Sequence, residues 1–105
     1  MRSILRTPAL IDTWFDTLRP EQRPLALALQ QTLVAARPGD LTLQSGLGGI
    51  WNNLGLVRQK QGQLAAAATA FERAIDAQIE AHEQAIEVIE FREALSKHYY
   101  NHAQV

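Results

Sequence analysis

An all-α fold is what this sequence predicts, and three observations predict it. Apolar residues recur at spacings of three and four rather than two, and no β-branched run alternates with polar residues. Turn residues punctuate the chain at helix-length intervals: Pro8, Pro20, Pro24, Pro38-Gly39-Asp40, a glycine-rich stretch from Gly46 to Gly49, and Gly62, beyond which neither Gly nor Pro occurs. At 105 residues, 47% hydrophobic but only 7% aromatic, the chain has material for one domain with a modest aliphatic core.

The first helix is expected from about residue 8 to residue 18, with Leu10, Ile11, Trp14, Phe15 and Leu18 on one face. Pro8 suits its first turn and Pro20 ends it. A second helix is expected from about residue 21 to residue 37, its apolar face made by Leu25, Ala28, Leu29 and Leu33, before Pro38-Gly39-Asp40 forces a turn. Asp40 is then placed to cap a third helix running to about Gln61. Gly46, Gly48 and Gly49 each weaken its first half by about 1 kcal/mol relative to Ala, and Gly62 stops it.

From Gln63 onward no residue interrupts a helix, so the spacing predicts a long C-terminal helix that would reach roughly 60 Å if continuous. Its expected seam runs through Leu64, Ala67, Phe71, Ala74, Ile75, Ile79, His82, Ile86, Ile89, Leu95 and Tyr99, and needs a partner along its length.

Composition excludes several function classes. Ten Lys and Arg against eleven Asp and Glu leave a formal charge of −1, which gives no basic footprint for nucleic acid. The absence of Cys removes disulfides, thiol catalysis and Cys-ligated zinc or iron–sulfur sites. The first residues lack the apolar stretch of a signal peptide, and no apolar run is long enough for a membrane helix, so a soluble, cytoplasmic protein is expected.

The most specific spacing lies between Trp51 and Ala74. Leu54 and Gly55 follow Trp51 at +3 and +4; Ala67 comes twelve residues after Gly55, Phe71 four later and Ala74 three after that, with Gly62 in the intervening turn. Small residues at Gly55 and Ala67 allow two antiparallel helices to approach, while Trp51, Leu54 and Phe71 fill the space around the crossing and Ala74 admits a following helix. This pattern resembles the tetratricopeptide repeat, W-x-x-L-G followed by A-x-x-x-F. Asn52-Asn53-Leu54-Gly55 resembles long-spaced members of that family, in which the second helix of each repeat is extended. Two departures are Arg58, where the family has a large apolar residue, and Ile79, where a proline is expected.

Fainter copies flank the motif. A shift of 48 residues sets Leu41 on Ile89, Leu47 on Leu95, Trp51 on Tyr99, Asn53 on Asn101, Gly55 on Ala103 and Val57 on Val105. A shift of about 46 sets Leu25, Ala28 and Leu29 on Phe71, Ala74 and Ile75. The resulting organisation is a single domain: a degenerate helix pair over residues 1–40, the best-matched repeat over 41–81, and the start of a further degenerate repeat over 82–105.

The resemblance implies a non-enzymatic protein–protein interaction module that presents a helical groove to a peptide or protein partner. In some relatives an asparagine ladder on the groove face bonds the peptide backbone. Here Asn53 and Asn101 take that position, with Asn52, Leu56 and Gln59 beside Asn53. The Lys/Asn/Arg carboxylate clamp of other relatives is not implied, because Gly49 and Leu56 stand where its groups would lie. The alternative is a self-assembling subunit, or a fragment of a longer scaffold, whose exposed seam mediates homodimerisation.

Other features read as structural. Glu72, Asp76, Glu80, Glu83, Glu87 and Glu90 form an acidic stripe that reads as a solvated face, the other reading being a dock for a basic partner or for Arg19, Arg23 or Arg37 of a second copy. His98 and His102 share a helix face but lack a third metal ligand, and Glu83 after His82 lacks the second His of a zinc motif, so no metal or cofactor is expected. Gly46-Leu47-Gly48-Gly49 lacks the Lys-Ser/Thr of a phosphate loop.

Overall fold

The computed structural model describes residues 18–105. These residues form a short 3₁₀ turn, Pro20–Gln22, followed by four α-helices: α1 Arg23–Ala36, α2 Leu41–Lys60, α3 Leu64–Gln84 and α4 Ile89–Ala103. The fold is all-α, as the periodicity predicts. The expected helix over residues 8–18 lies outside the described residues, apart from Leu18. Among the described residues no helix is long and apolar enough to cross a membrane.

Local chemistry accounts for the ends of α2. Asp40 has extended backbone, and its Oδ1 accepts from the Leu43 amide at 3.2 Å, satisfying one of the helix's orphan donors. At the other end Gly62 takes φ +76°, a conformation that costs a side-chain-bearing residue energy. That turn lets the Gly62 amide donate to the Gln59 carbonyl at 3.0 Å and the Gln63 amide to the Arg58 carbonyl at 2.9 Å, the paired closure of a Schellman motif. Arg58 reinforces the same corner, its Nη1 donating to the Ala66 carbonyl at 3.3 Å.

The hairpin of α2 and α3 holds the most extensive helix contact in the fold. Its crossing point is Gly55 on Phe71: a Cβ built on Gly55 would lie 2.6 Å from Cδ1 and 2.8 Å from Cζ of that ring. Ala67, Phe71 and Ala74 are fully buried along α3, while Trp51 and Leu54 are half-buried on α2. Glycine is required here by volume, since the ring occupies the place of its side chain.

The C-terminal segment is two helices, which corrects the expectation of one long helix. Helix α3 ends at Gln84, residues 85–88 form a turn, and α4 folds back on α3. Phe91 is buried with Ala81 and Ala85, with Val88 and Leu41 packed around them. The Val88 amide donates to the Ala85 carbonyl at 3.0 Å, closing the turn without Gly or Pro. Three β-branched residues, Ile86, Val88 and Ile89, weaken helix propensity here, and burial of Phe91 outweighs helix continuation. Of the expected seam, Ala67, Phe71, Ala74 and Ile75 find partners within the chain, whereas Leu64, Ile86, Ile89 and Tyr99 are exposed. Helix α4 starts at Ile89 and α2 at Leu41, the pair set together by the 48-residue shift.

Helix α1 turns a different face inward from the one expected. Ala26 and Gln30 are buried and Leu27, Leu33 and Val34 half-buried, whereas Leu25, Ala28 and Leu29 are exposed. Phe71, Ala74 and Ile75 are buried, so the 46-residue echo pairs an outward row with an inward one. Gln30 helps set this face, because its Nε2 donates to the Leu43 carbonyl at 2.9 Å near the start of α2. Ala26 packs with Ile50, beside Leu18, Leu27 and Leu54.

Candidate functional site

Helix α3 carries a buried row at spacings of four and three: Ala67, Phe71, Ala74, Gln78, Ala81 and Ala85. This row, and not the one through Ile79 and Ile86, faces the other helices; Ile79 is half-buried and Ile86 is exposed. Gln78 stands in its middle with no solvent exposure, so its amide must be bonded inside the protein.

Both ends of that amide are bonded. Gln78 Nε2 donates to Ser45 Oγ of α2 at 2.9 Å, and Gln78 Oε1 lies 3.2 Å from His98 Nε2 of α4. Because the amide oxygen can only accept, His98 donates from Nε2, which fixes the neutral tautomer with the proton on that nitrogen. Its Nδ1 is buried and has no hydrogen-bond partner among the described residues. Burial, and secondarily the charge of adjacent Lys97, lower the imidazole pKa from its ordinary 6.5 to about 3.

Gly48 makes the junction possible. A Cβ there would lie 2.9 Å from Gln78 Oε1, 3.2 Å from the Ala74 carbonyl and 3.4 Å from His98 Nε2. The glycine that weakens α2 locally is thus the floor on which the α3 amide and the α4 imidazole meet. Further along α2 and α4, Asn101 Nδ2 donates to Asn52 Oδ1 at 2.9 Å. At the start of α2, Gln44 Nε2 donates to the Ala77 carbonyl at 3.2 Å and to Glu80 Oε2 at 3.1 Å.

The expected groove residues are brought together in part, and differently from the ladder. Asn52 is 1% and Asn53 5% exposed, so neither presents its amide to an open groove. The asparagine pair that forms is Asn52 with Asn101 rather than Asn53 with Asn101. Leu56 and Gln59 are half-buried, one and two turns further along α2 on the Asn52 side, and Asn101 is half-buried. Among the motif positions, Gly55 meets Phe71 at the hairpin crossing, Ala67 and Ala74 are buried along α3, Trp51 is half-buried, Leu54 packs beside Ala26 and Ile50, and Gly62 closes the turn.

The remaining polar features are dispersed. The acidic stripe is exposed and divided by the turn at residues 85–88. Within it Glu72 meets His102 Nε2 at 3.4 Å, an exposed pair of small energetic weight. His98 and His102 thus bond to different residues of α3, and among the described residues no group of three or more His, Asp or Glu side chains could hold a metal ion.

The exposed apolar surface on α1 differs from the expectation, which turned Leu25 and Leu29 inward. Leu25, at 71% exposure, and Leu29 border a shallow apolar depression with Leu18, Gln22 and Ala26. Ile86 and Ile89 beside the α3–α4 turn, and Tyr99 and Tyr100 in the second half of α4, are exposed as well. The signal was present in α1, where Ala26, Gln30, Leu33 and Val34 form a second row at helical spacing beside the more apolar Leu25 row. Comparison of the chain with protein-family models, with curated proteins and with solved structures finds no match.

Proposed function

We propose that the chain is a non-enzymatic, cytoplasmic protein–protein interaction module of the tetratricopeptide type, holding a peptide or protein partner along α2 and α4. The observation that carries this reading is the α2–α3 hairpin: Gly55 backbone lies on the Phe71 ring, with Ala67 and Ala74 buried along the same helix. Small residues at these spacings let the two helices approach closely, which supports the reading. Support also comes from how polar chemistry is used, since Ser45, Gln78, His98, Asn52 and Asn101 bond one another between helices. The groove residues open to a partner are Leu56, Gln59 and Asn101, with Asn52 and Asn53 as the supports behind them.

The test is selection of peptides by display against the folded chain, followed by calorimetric titration. Selected peptides should bind wild type and lose tenfold or more in affinity to Leu56→Ser or Gln59→Ala, with helicity unchanged. Equal affinity for the groove variants and wild type defeats the reading.

Self-association is the second reading, favoured by exposed Leu25 and Leu29 on α1 and Ile86 and Ile89 beside the α3–α4 turn. Light scattering across a concentration series decides it. A mass that doubles with concentration and returns to monomer in Leu25→Ser/Leu29→Ser supports assembly, and a monomer mass throughout removes it.

A further inference from the structure

Helix α4 is held at two places with different chemistry. Its start is anchored by Phe91 in the apolar cluster with Ala81 and Ala85. Its second half turns Ala94, Leu95, His98, Asn101 and His102 toward the body of the fold, and only His98 among them is fully buried. The junction at His98 is complete for a neutral ring alone. Nε2–H has its acceptor in Gln78 Oε1, 3.2 Å away, whereas Nδ1 is buried without a partner. A second proton would create a donor with no acceptor and a charge beside Lys97 in a poorly solvated site.

Among the described residues no group facing the ring compensates that charge. Helix α2 presents Ser45 and Gly48 to it, and α3 presents the Ala74 carbonyl and Gln78. On α3, Glu72 is engaged by His102 and Glu80 by Gln44, while Arg73 and Asp76 are exposed. On α4 itself the adjacent charge is Lys97, of the wrong sign, and Glu90, Arg92 and Glu93 are exposed toward the anchored end.

We propose that the second half of α4 is an acid-released latch: it stays docked on α2 and α3 while His98 is neutral, and protonation of His98 detaches it, uncovering the polar strip of Ser45, Gly48, Asn52 and Gln78. Detached, the ring regains its ordinary pKa near 6.5, so the docked state has the depressed value. Docking is therefore at full strength above pH 6.5 and declines as pH falls from there toward 3, by about tenfold per pH unit. From pH 6.5, where half of the detached rings already carry a proton, to pH 5.0 the docking equilibrium falls about fifteen-fold. The proposal concerns how α4 is held and is independent of what the groove binds.

The experiment is a pH titration of the full chain by NMR, reading the histidine rings and amide exchange after correction for intrinsic rates. The expected result is an about fifteen-fold loss of protection in the second half of α4 between pH 6.5 and 5.0, with smaller loss in α2 and α3. His102→Gln should keep that dependence and His98→Gln should lose it. Equal loss of protection in α2, α3 and α4 overturns the latch, as does a His98 ring that titrates near pH 6.5 with α4 still protected. Should His98→Gln fail to fold, the wild-type ring titration and exchange decide the matter alone.

Discussion

The α2–α3 crossing and the docking of α4 use neighbouring stretches of one helix, yet they are built from different material. At the first, Phe71 fills the space left by Gly55, and shape alone fixes the geometry. At the second, the same buried row continues through Gln78, whose amide is oriented by its bond to Ser45 of α2 and whose oxygen accepts from His98 of α4. A shape-matched contact resists any change of volume and is indifferent to protons. A hydrogen-bonded contact in a dry site specifies orientation and tautomer, and becomes costly when one member changes.

Four substitutions separate the two kinds of contact. The largest effect is expected from Gly55→Leu, which forces a side chain into the Phe71 ring and should cost about 3 kcal/mol or more, read as lost cooperative unfolding in urea. A normally folded variant would overturn the packing account of the hairpin. Gln78→Leu keeps volume but leaves the His98 N–H without an acceptor, and should cost about 1–3 kcal/mol. Exchange protection should fall mostly in α4, and an equal fall in the hairpin would merge the two regions into one unit.

Gly62→Ala places a Cβ at φ +76° and should cost about 1 kcal/mol in the turn between α2 and α3, measured by the shift of the denaturation midpoint. An unchanged midpoint would mean that the turn adopts another closure. Asn101→Ala removes a half-buried bond to Asn52 and should cost about 0.5 kcal/mol. A double-mutant cycle with Asn52→Ala measures the pair directly, and a coupling energy of zero would assign α4 docking to His98 and Phe91 alone.

The legible parts of this fold were those set by neighbours in sequence. Asp40 caps α2 and Gly62 closes it because capping and left-handed turns depend on residues three to five positions away. The break at residues 85–88 was legible only through the 48-residue echo that sets Leu41 on Ile89; no Gly or Pro marks it, and its cause is the burial of Phe91 against Ala81 and Ala85. The α1 face was misjudged because Leu25 and Leu29 are more apolar than Ala26 and Gln30. What decides burial there is the bond from Gln30 to the Leu43 carbonyl, thirteen residues away.

The polar junction was the least visible part of the site. Gln78 bonds residues 33 and 20 positions away, and Asn101 bonds one 49 positions away. One signal was nonetheless present: Gln78 interrupts an otherwise apolar row at spacings of four and three. A glutamine in such a row asks for partners on facing helices. The groove asparagines show the converse, since the resemblance implies exposed amides at Asn52 and Asn53 and the fold buries both.

The tight turn at Gly62 also bears on the order in which the chain folds. It joins α2 to α3 within three residues, so most hairpin contacts close short loops and should form early. The α4 bond from Asn101 to Asn52, 49 residues apart, closes a longer one and should come afterwards. Substitutions at the Gly55–Phe71 crossing should then slow refolding, while those at Asn101 should leave refolding unchanged and accelerate unfolding, a division that stopped-flow kinetics reads from the two arms of the chevron.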